Sequence, residues 1–193
     1  MPIKNHDLFL EVISNVAKRS GRRIRAFIVG DGEERERLQQ KTQELGMSQV
    51  MGPYFNGHGF GHGINGKPMV ANATITFTSW IKEVDIVNAG VDIIMLTSLN
   101  EGTPVSLIEA QAANKPVITT RVGGIENVVA QDKTAFLSPS GDVQNLEEHL
   151  LRLVENEALR NEMGSAGWEH VRERFHFTRL VRDTDAMYRS LLN

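Results

Sequence analysis

The feature that most narrows what this chain can fold into is a short apolar run, a polar turn and a helix start in direct succession. Val91-Asp-Ile-Ile-Met-Leu96 is β-branched and apolar on both faces apart from one Asp, the pattern of a buried strand in a parallel sheet. A turn follows, in which Thr103 offers an N-cap side chain and Pro104 takes the first helical position, where its missing N–H costs nothing. A helix is therefore predicted from Pro104. A strand, a tight turn holding Gly102 and an open helix N-terminus make a site for an anion, because free N–H groups and the positive dipole end face the crevice. Phosphate is the expected guest.

Two acids frame that N-terminus. Glu101 lies in the turn, and Glu109 lies in a helix otherwise built from Val105, Leu107, Ile108, Ala110, Ala112 and Ala113. A carboxylate buried in so apolar a helix needs a partner, since burying it alone costs several kcal/mol or forces protonation. One reading is a salt bridge to a nearby Lys or Arg. The other is that Glu109 accepts from a sugar's vicinal hydroxyls while Glu101 reaches another hydroxyl-rich group across the phosphate.

The rest of the chain supplies the layers around this turn. Asn5 is the expected N-cap of a first helix with Leu8, Phe9, Val12, Ile13 and Val16 on one face, closed by Gly21. Residues 24–29 read as a strand ending in Gly30-Asp31-Gly32, and 33–45 as a polar helix stopped by Gly46. Residues 49–73 are Gly-rich without helix or strand period and read as an inserted loop. Its Gly61, Gly63 and Gly66 spell a dinucleotide motif without the strand and helix that motif needs. His58 and His62 in the same loop lack a third ligand nearby, so no metal site is expected there.

Residues 74–79 alternate as a strand, Trp80 begins a short helix through residue 89, and 117–120 and 135–137 are further strands, with a turn onto a helix at Gly123-Gly124. The tail reads as helices: one capped by Asp142 through Glu155, one over 158–175, and one capped by Thr178 with Leu180, Val181, Met187, Leu191 and Leu192 on its apolar side. Asp183 and Asp185 in the last helix form a D-x-D by letters only and read as a solvated face. Five strands alternating with helices predict an α/β fold with a doubly wound, mostly parallel sheet and a helical tail.

Composition excludes several classes of function. The 193 residues are 40% hydrophobic and 23% charged, enough for one sizeable core and a single domain. A net charge of −3 and no basic run longer than two residues give no reason to expect nucleic acid. The chain has no Cys, which rules out disulfides and thiolate metal sites. No stretch approaches the ~18 apolar residues of a membrane span, and no signal peptide is visible. The cytoplasm is the default location, with peripheral contact at the inner face of a membrane left open for a part of the protein outside this sequence.

Glu101-Gly-Thr-Pro-Val-Ser-Leu-Ile-Glu109-Ala, continuing through Lys115-Pro-Val-Ile-Thr-Thr120 to Gly123-Gly124, resembles the E-x7-E segment of retaining family 4 glycosyltransferases of the GT-B fold. The likeness extends through Ile28-Val-Gly-Asp-Gly-Glu33, Phe77-Thr-Ser-Trp80 and Thr134-Ala-Phe-Leu-Ser-Pro-Ser-Gly-Asp142, covering most of the chain in the right order. It implies the Rossmann-like C-terminal, donor-binding half of such an enzyme. It gives Glu101 the contact with donor-sugar hydroxyls at the catalytic centre and gives Gly102, Thr103, Pro104 and Val105 the diphosphate. Glu109 would take the ribose, the backbone of Phe77, Thr78 and Ser79 the base, and Gly30 a place beside the nucleotide. Lys4 matches a phosphate-binding Lys, although on composition it is equally a solvated terminal Lys. Asn114 and Ala135 stand where Gly is usual, and Glu126-Asn127 where Pro-Glu is frequent; none of these removes a ligand.

The resemblance further implies a UDP-sugar donor, no metal cofactor, and a glycan or lipid-linked acceptor bound by an N-terminal domain that this sequence lacks, as in polysaccharide biosynthesis. A strand carrying an Arg would lie upstream of residue 1, so the sequence is expected to start inside a domain. Leu191 and Leu192 would then be left uncovered, favouring self-association. Two other readings stand beside this one: a flavodoxin-like interaction module without chemistry, and a nucleotide-sugar epimerase on the same fold.

Overall fold

The computed structural model describes residues 2–51 and 70–192, so His58, His62 and the glycines at 61, 63 and 66 lie outside the described residues. The architecture is the expected one, α/β with parallel sheets and a helical tail. Helix α1 (His6–Ser20) buries Leu8, Leu10, Val12, Ile13, Val16 and Ala17 and ends on Gly21 at φ 64, a left-handed position that suits glycine. Strand β1 (Ile24–Ile28), helix α2 (Arg35–Glu44), β2 (Met47–Met51) and β3 (Val70–Phe77) follow, and β3 runs parallel between β1 and β2. After α3 (Val84–Gly90), strands β4 (Ile94–Leu96), β5 (Val117–Thr120) and β6 (Ala135–Ser138) form a second parallel sheet in that order, with α4 (Val105–Ala112) joining β4 to β5. Helices α5 (Val143–Glu155), α6 (Glu157–Arg174) and α7 (Phe177–Leu192) complete the chain.

Successive strand residues face opposite ways, and both faces of the second sheet are covered. Val117, Ala135 and Leu137 pack with Leu107 and Ala110 of α4 and with Ile125, Val128 and Val129. Ile118 and Phe136 turn the other way and join the larger core of α1, β1, β3 and α5. Because that core contains residues of both sheets, the two share one interior.

Several expectations need correction. The segment read as a loop from residue 49 begins inside β2, which the sequence hid because Met47-Ser-Gln-Val-Met51 is an edge strand with little β-branched content. Strand β3 starts at Val70, not at residue 74. Trp80 is 77% exposed and does not begin a helix, since α3 starts only at Val84. The strand read as 91–96 shortens to Ile94–Leu96 and is half-buried. Gly123-Gly124 opens a 3-10 turn. Asn5 precedes α1 in a left-handed conformation without a side-chain cap. At α7, Thr178 is not the cap: its N–H donates to His176 Nδ1 at 3.4 Å.

Other local readings hold. Asp142 accepts from Asn145 N at 3.0 Å and caps α5. Asn114 adopts φ 58, a left-handed position that Asn tolerates, which explains how it replaces the usual glycine. Asp183 pairs with Arg179 and Asp185 with Arg189 on an exposed face. No residue of α7 is buried, and Phe177, Leu180, Val181, Met187, Tyr188, Leu191 and Leu192 are all exposed.

Three histidines give the stability of this fold a pH dependence. His149 stacks on Phe136 with centroids 4.6 Å apart, while the Arg152 guanidinium covers that ring at 4.6 Å. Burial, and then Arg152, hold the His149 pKa below 6.5. Burial likewise lowers His6 and His170. The unfolded chain therefore binds protons first as pH falls through 6.5, and stability is lost in that direction. The urea midpoint should drop between about pH 7.5 and about pH 5.5. A flat or rising midpoint would contradict the burial of these rings.

Candidate functional site

The site is built at the carboxyl end of β4. Thr97 Oγ1 donates to the carbonyls of Lys4 and Asn5 at 3.1 and 3.0 Å. Leu99 N donates to Ile3 O at 2.8 Å. These bonds clamp the start of α1 to the turn after β4 and bring Lys4 to Glu101. Lys4 Nζ lies 2.6 Å from Glu101 Oε1, so Lys4 is not a free terminal lysine. Its side chain is 43% exposed, and an ion pair that open adds about 1 kcal/mol at most, too little to be a major prop of the fold.

The turn is also braced from below. Gly124 N donates to Glu101 O at 3.0 Å. A Cβ on Gly123 would collide with the Glu101 carbonyl, and one on Gly124 with the Gly102 carbonyl. The glycine pair is therefore a close backbone buttress of the turn from Glu101 to Thr103, where the sequence alone suggests only a turn onto a helix.

Helix α4 begins one residue later than predicted. Pro104 sits at the N-cap with ψ 99, in extended backbone, and no side chain caps the helix, so Thr103 does not play the part assigned to it. The first amide used inside the helix is that of Leu107, which donates to Pro104 O at 3.0 Å. The N–H groups of Gly102, Thr103, Val105 and Ser106 have no protein acceptor among the described residues, and all four residues are exposed. Pro104 is buried and has no N–H to offer. The open N-terminus thus consists of Gly102, Thr103, Val105 and Ser106, the last of which carries no sequence signal of its own.

Glu109 departs from expectation in burial. Leu107, Ala110 and Gln111 form the buried stripe of α4, and Glu109 falls on the opposite, exposed side with Val105. No ion pair to Glu109 is present among the described residues, so the salt-bridge reading does not hold and its carboxylate is free to accept. Lys115, the nearest lysine in sequence, donates instead to Ala89 O at 3.3 Å.

A second cluster lies at the carboxyl ends of β1 and β3. Gly30, at φ 120, donates its N–H to Ser79 O at 3.0 Å. Arg35 donates to Ser79 Oγ at 2.7 Å and to Phe77 O at 3.3 Å. Phe77 is 2% and Thr78 6% exposed, and Thr78 N donates to Ile28 O at 3.2 Å, so neither presents its side chain at the surface. Arg35 is a support that its residue type does not announce, since it is one of two arginines in a polar helix.

An open helix N-terminus beside a Lys, between two carboxylates and at the carboxyl ends of parallel strands, defines a class of α/β domain suited to a phosphorylated, hydroxyl-rich ligand. Residues 70–170 match the family of glycosyl transferases group 1, and the chain belongs to that family. It is similar to N-acetyl-alpha-D-glucosaminyl L-malate synthase of Bacillus anthracis, with 33% identity over 101 residues, which make up 52% of this chain and 26% of that protein. Among solved structures it is similar to HepE of Anabaena in complex with UDP, with TM-score 0.78 and 18% identity, covering 98% of this chain and 46% of that one. It is also similar to the C-terminal domain of a group 1 glycosyl transferase, LpcC of Francisella tularensis, with TM-score 0.70 and 19% identity over 91% of this chain and 81% of that one. The fold is that of the C-terminal domain of GT-B glycosyltransferases. The chain spans about a quarter of the length of the curated relatives it matches.

Proposed function

We propose that the chain is the nucleotide-sugar-binding half of a retaining hexosyltransferase that takes a UDP-sugar and passes its sugar to a glycan or lipid-linked acceptor. The observation that carries this reading is the pairing of unused amides at the head of α4 with an exposed, unpaired Glu109 about one turn further along the same helix. Thr103, Val105 and Ser106 amides with Lys4 take the diphosphate, Glu109 accepts from the ribose hydroxyls, and Glu101 accepts from the sugar. The base rests on the backbone around Gly30, Phe77, Thr78 and Ser79. The UDP held by the similar Anabaena protein supports UDP as the nucleotide. A plain interaction module has no need for two acids in these positions.

Transfer breaks the bond between the anomeric carbon and the β-phosphate oxygen and forms one to the acceptor oxygen, whose hydroxyl proton passes to the departing diphosphate. The departing diphosphate gains charge, and preorganised amides with a cation are suited to meet it. No divalent metal is needed in this scheme. The acceptor is bound by an N-terminal domain outside this sequence, and the reaction takes place in the cytoplasm. Among the described residues no helix is long and apolar enough to cross a membrane. Because transfer requires donor and acceptor held in a closed, water-poor cleft, the 193-residue chain alone binds donor without turning it over. The exposed apolar side of α7 favours its self-association.

Calorimetric titration of the purified chain with UDP in excess EDTA tests this reading, with binding expected to be unchanged by the chelator. Binding that vanishes with EDTA and returns with Mn²⁺ would overturn the metal-free scheme. Turnover of UDP-sugar onto an acceptor at about 1 per second or faster by this chain alone would overturn its assignment as one half of the enzyme.

A further inference from the structure

Beneath Glu101 lies a chain of hydroxyl groups that none of the roles above uses. Thr120, at the end of β5, is fully buried, and its Oγ1 donates to Ser98 O at 2.6 Å. Ser98 is also fully buried, and its Oγ donates to Glu101 Oε1 at 2.6 Å. Lys4 Nζ reaches the same oxygen, again at 2.6 Å. Oε1 therefore receives both donors, and Oε2 carries no hydrogen bond among the described residues. The Glu101 side chain is only 11% exposed, so its orientation is set by these partners and not by solvent.

The two donors differ in kind. Lys4 is a flexible, 43% exposed side chain whose charge is shared with any phosphate that arrives. Ser98 is fixed, because the β5 hydroxyl holds its backbone and the fold encloses its side chain. A short hydrogen bond to a carboxylate is among the stronger ones a neutral hydroxyl can make. It leaves one oxygen of Glu101 engaged and the other with its lone pairs open.

Building on the proposed function, we propose that Ser98, held by Thr120, is the positioning residue that aims Glu101 Oε2 at the sugar of the bound nucleotide-sugar, and so governs recognition of the sugar but not of the nucleotide. Ser98 touches no ligand itself and acts only through Glu101.

The test compares calorimetric affinities for UDP with those for UDP-glucose, UDP-galactose and UDP-N-acetylglucosamine. The panel member that exceeds UDP most for the unaltered chain then serves as the probe. Ser98→Ala is expected to leave UDP affinity unchanged and to cut the sugar's contribution about tenfold, the usual effect of losing a hydrogen bond to a charged group. In a Glu101→Ala background, Ser98→Ala should then have no further effect, a coupling that a merely structural role would not produce. Thr120→Val, which keeps the Ser98 hydroxyl and frees its backbone, gives the same selective loss and serves if the Ser98 variant does not fold. Equal weakening of UDP and UDP-sugar, additivity with Glu101→Ala, or no panel member exceeding UDP would overturn the proposal. Failure of the unaltered chain to bind UDP at all is a separate result: it removes the nucleotide-site reading itself, and this inference with it.

Discussion

Replacing Glu109 by Ala is expected to weaken UDP binding by about 1.5 to 3 kcal/mol, roughly 10-fold to 150-fold, while leaving the unfolding temperature where it was. The two halves of that expectation come from the same geometry. The Glu109 side chain is exposed and makes no ion pair among the described residues, so the folded state has no contact to lose. A surface substitution of this kind stays within about 0.5 kcal/mol of neutral, and Ala is if anything the better helix former. A ligand whose hydroxyls donate to the carboxylate loses a charge-assisted pair. Calorimetry and thermal denaturation on the two proteins separate the effects. Equal UDP affinity would remove Glu109 from the site, and a large fall in unfolding temperature would mean that it has a structural partner.

Gly123→Ala is expected to do the opposite, damaging fold and binding together. Gly123 stands at φ 52, where a Cβ costs about 1 to 2 kcal/mol, and that Cβ would also collide with the carbonyl of Glu101. Overpacking of this sort adds about 1 to 3 kcal/mol. The element able to yield is the turn from Glu101 to Thr103, which is the turn that presents the amides. UDP affinity should therefore fall at least tenfold, on the order expected when donors are moved off a preorganised site. Gly141→Ala is the control. Gly141 is also left-handed, at φ 83, but an added Cβ meets nothing within 4 Å. It should show the backbone cost alone, with UDP affinity intact. If Gly123→Ala binds UDP as well as Gly141→Ala does, the buttress does not shape the site.

The parts of this structure legible in the sequence are those whose local chemistry and tertiary setting agree. Val117–Thr120 is β-branched at every position and is buried throughout, so the predicted and observed strands coincide. Asp142 before an amphipathic run is a cap signal, and the side chain does accept from Asn145 N. The misses follow from tertiary context. Strand β2 exists because β3 offers it an edge, which a five-residue run with one β-branched residue cannot announce. Its lack of an N–H suits Pro104 to the first helical position, yet its ψ of 99 keeps it outside the helix.

The apolar neighbours of Glu109 suggest burial, but helical spacing puts Leu107, Ala110 and Gln111 inward and leaves Glu109 outside. Within the site, the acids and the helix N-terminus were visible as residue types at fixed spacing. The supports were not. Thr97, Ser98 and Thr120 are ordinary hydroxyl residues at strand ends, and only their convergence on Lys4, Asn5 and Glu101 gives them a role. The close approach of Gly123 and Gly124 to the Glu101 turn is likewise a fact of packing between two connections that lie about twenty residues apart.

The central claim is that a nucleoside diphosphate sits on the amides at the head of α4. Backbone amide resonances of the ¹⁵N-labelled chain, followed while UDP is added in the presence of chelator, address that claim residue by residue. Saturable shifts that are largest at Gly102, Thr103, Val105 and Ser106, with a second group at Gly30 and Ser79, are the expected result. Shifts absent from these residues, or confined to the outer faces of α5 to α7, would contradict it.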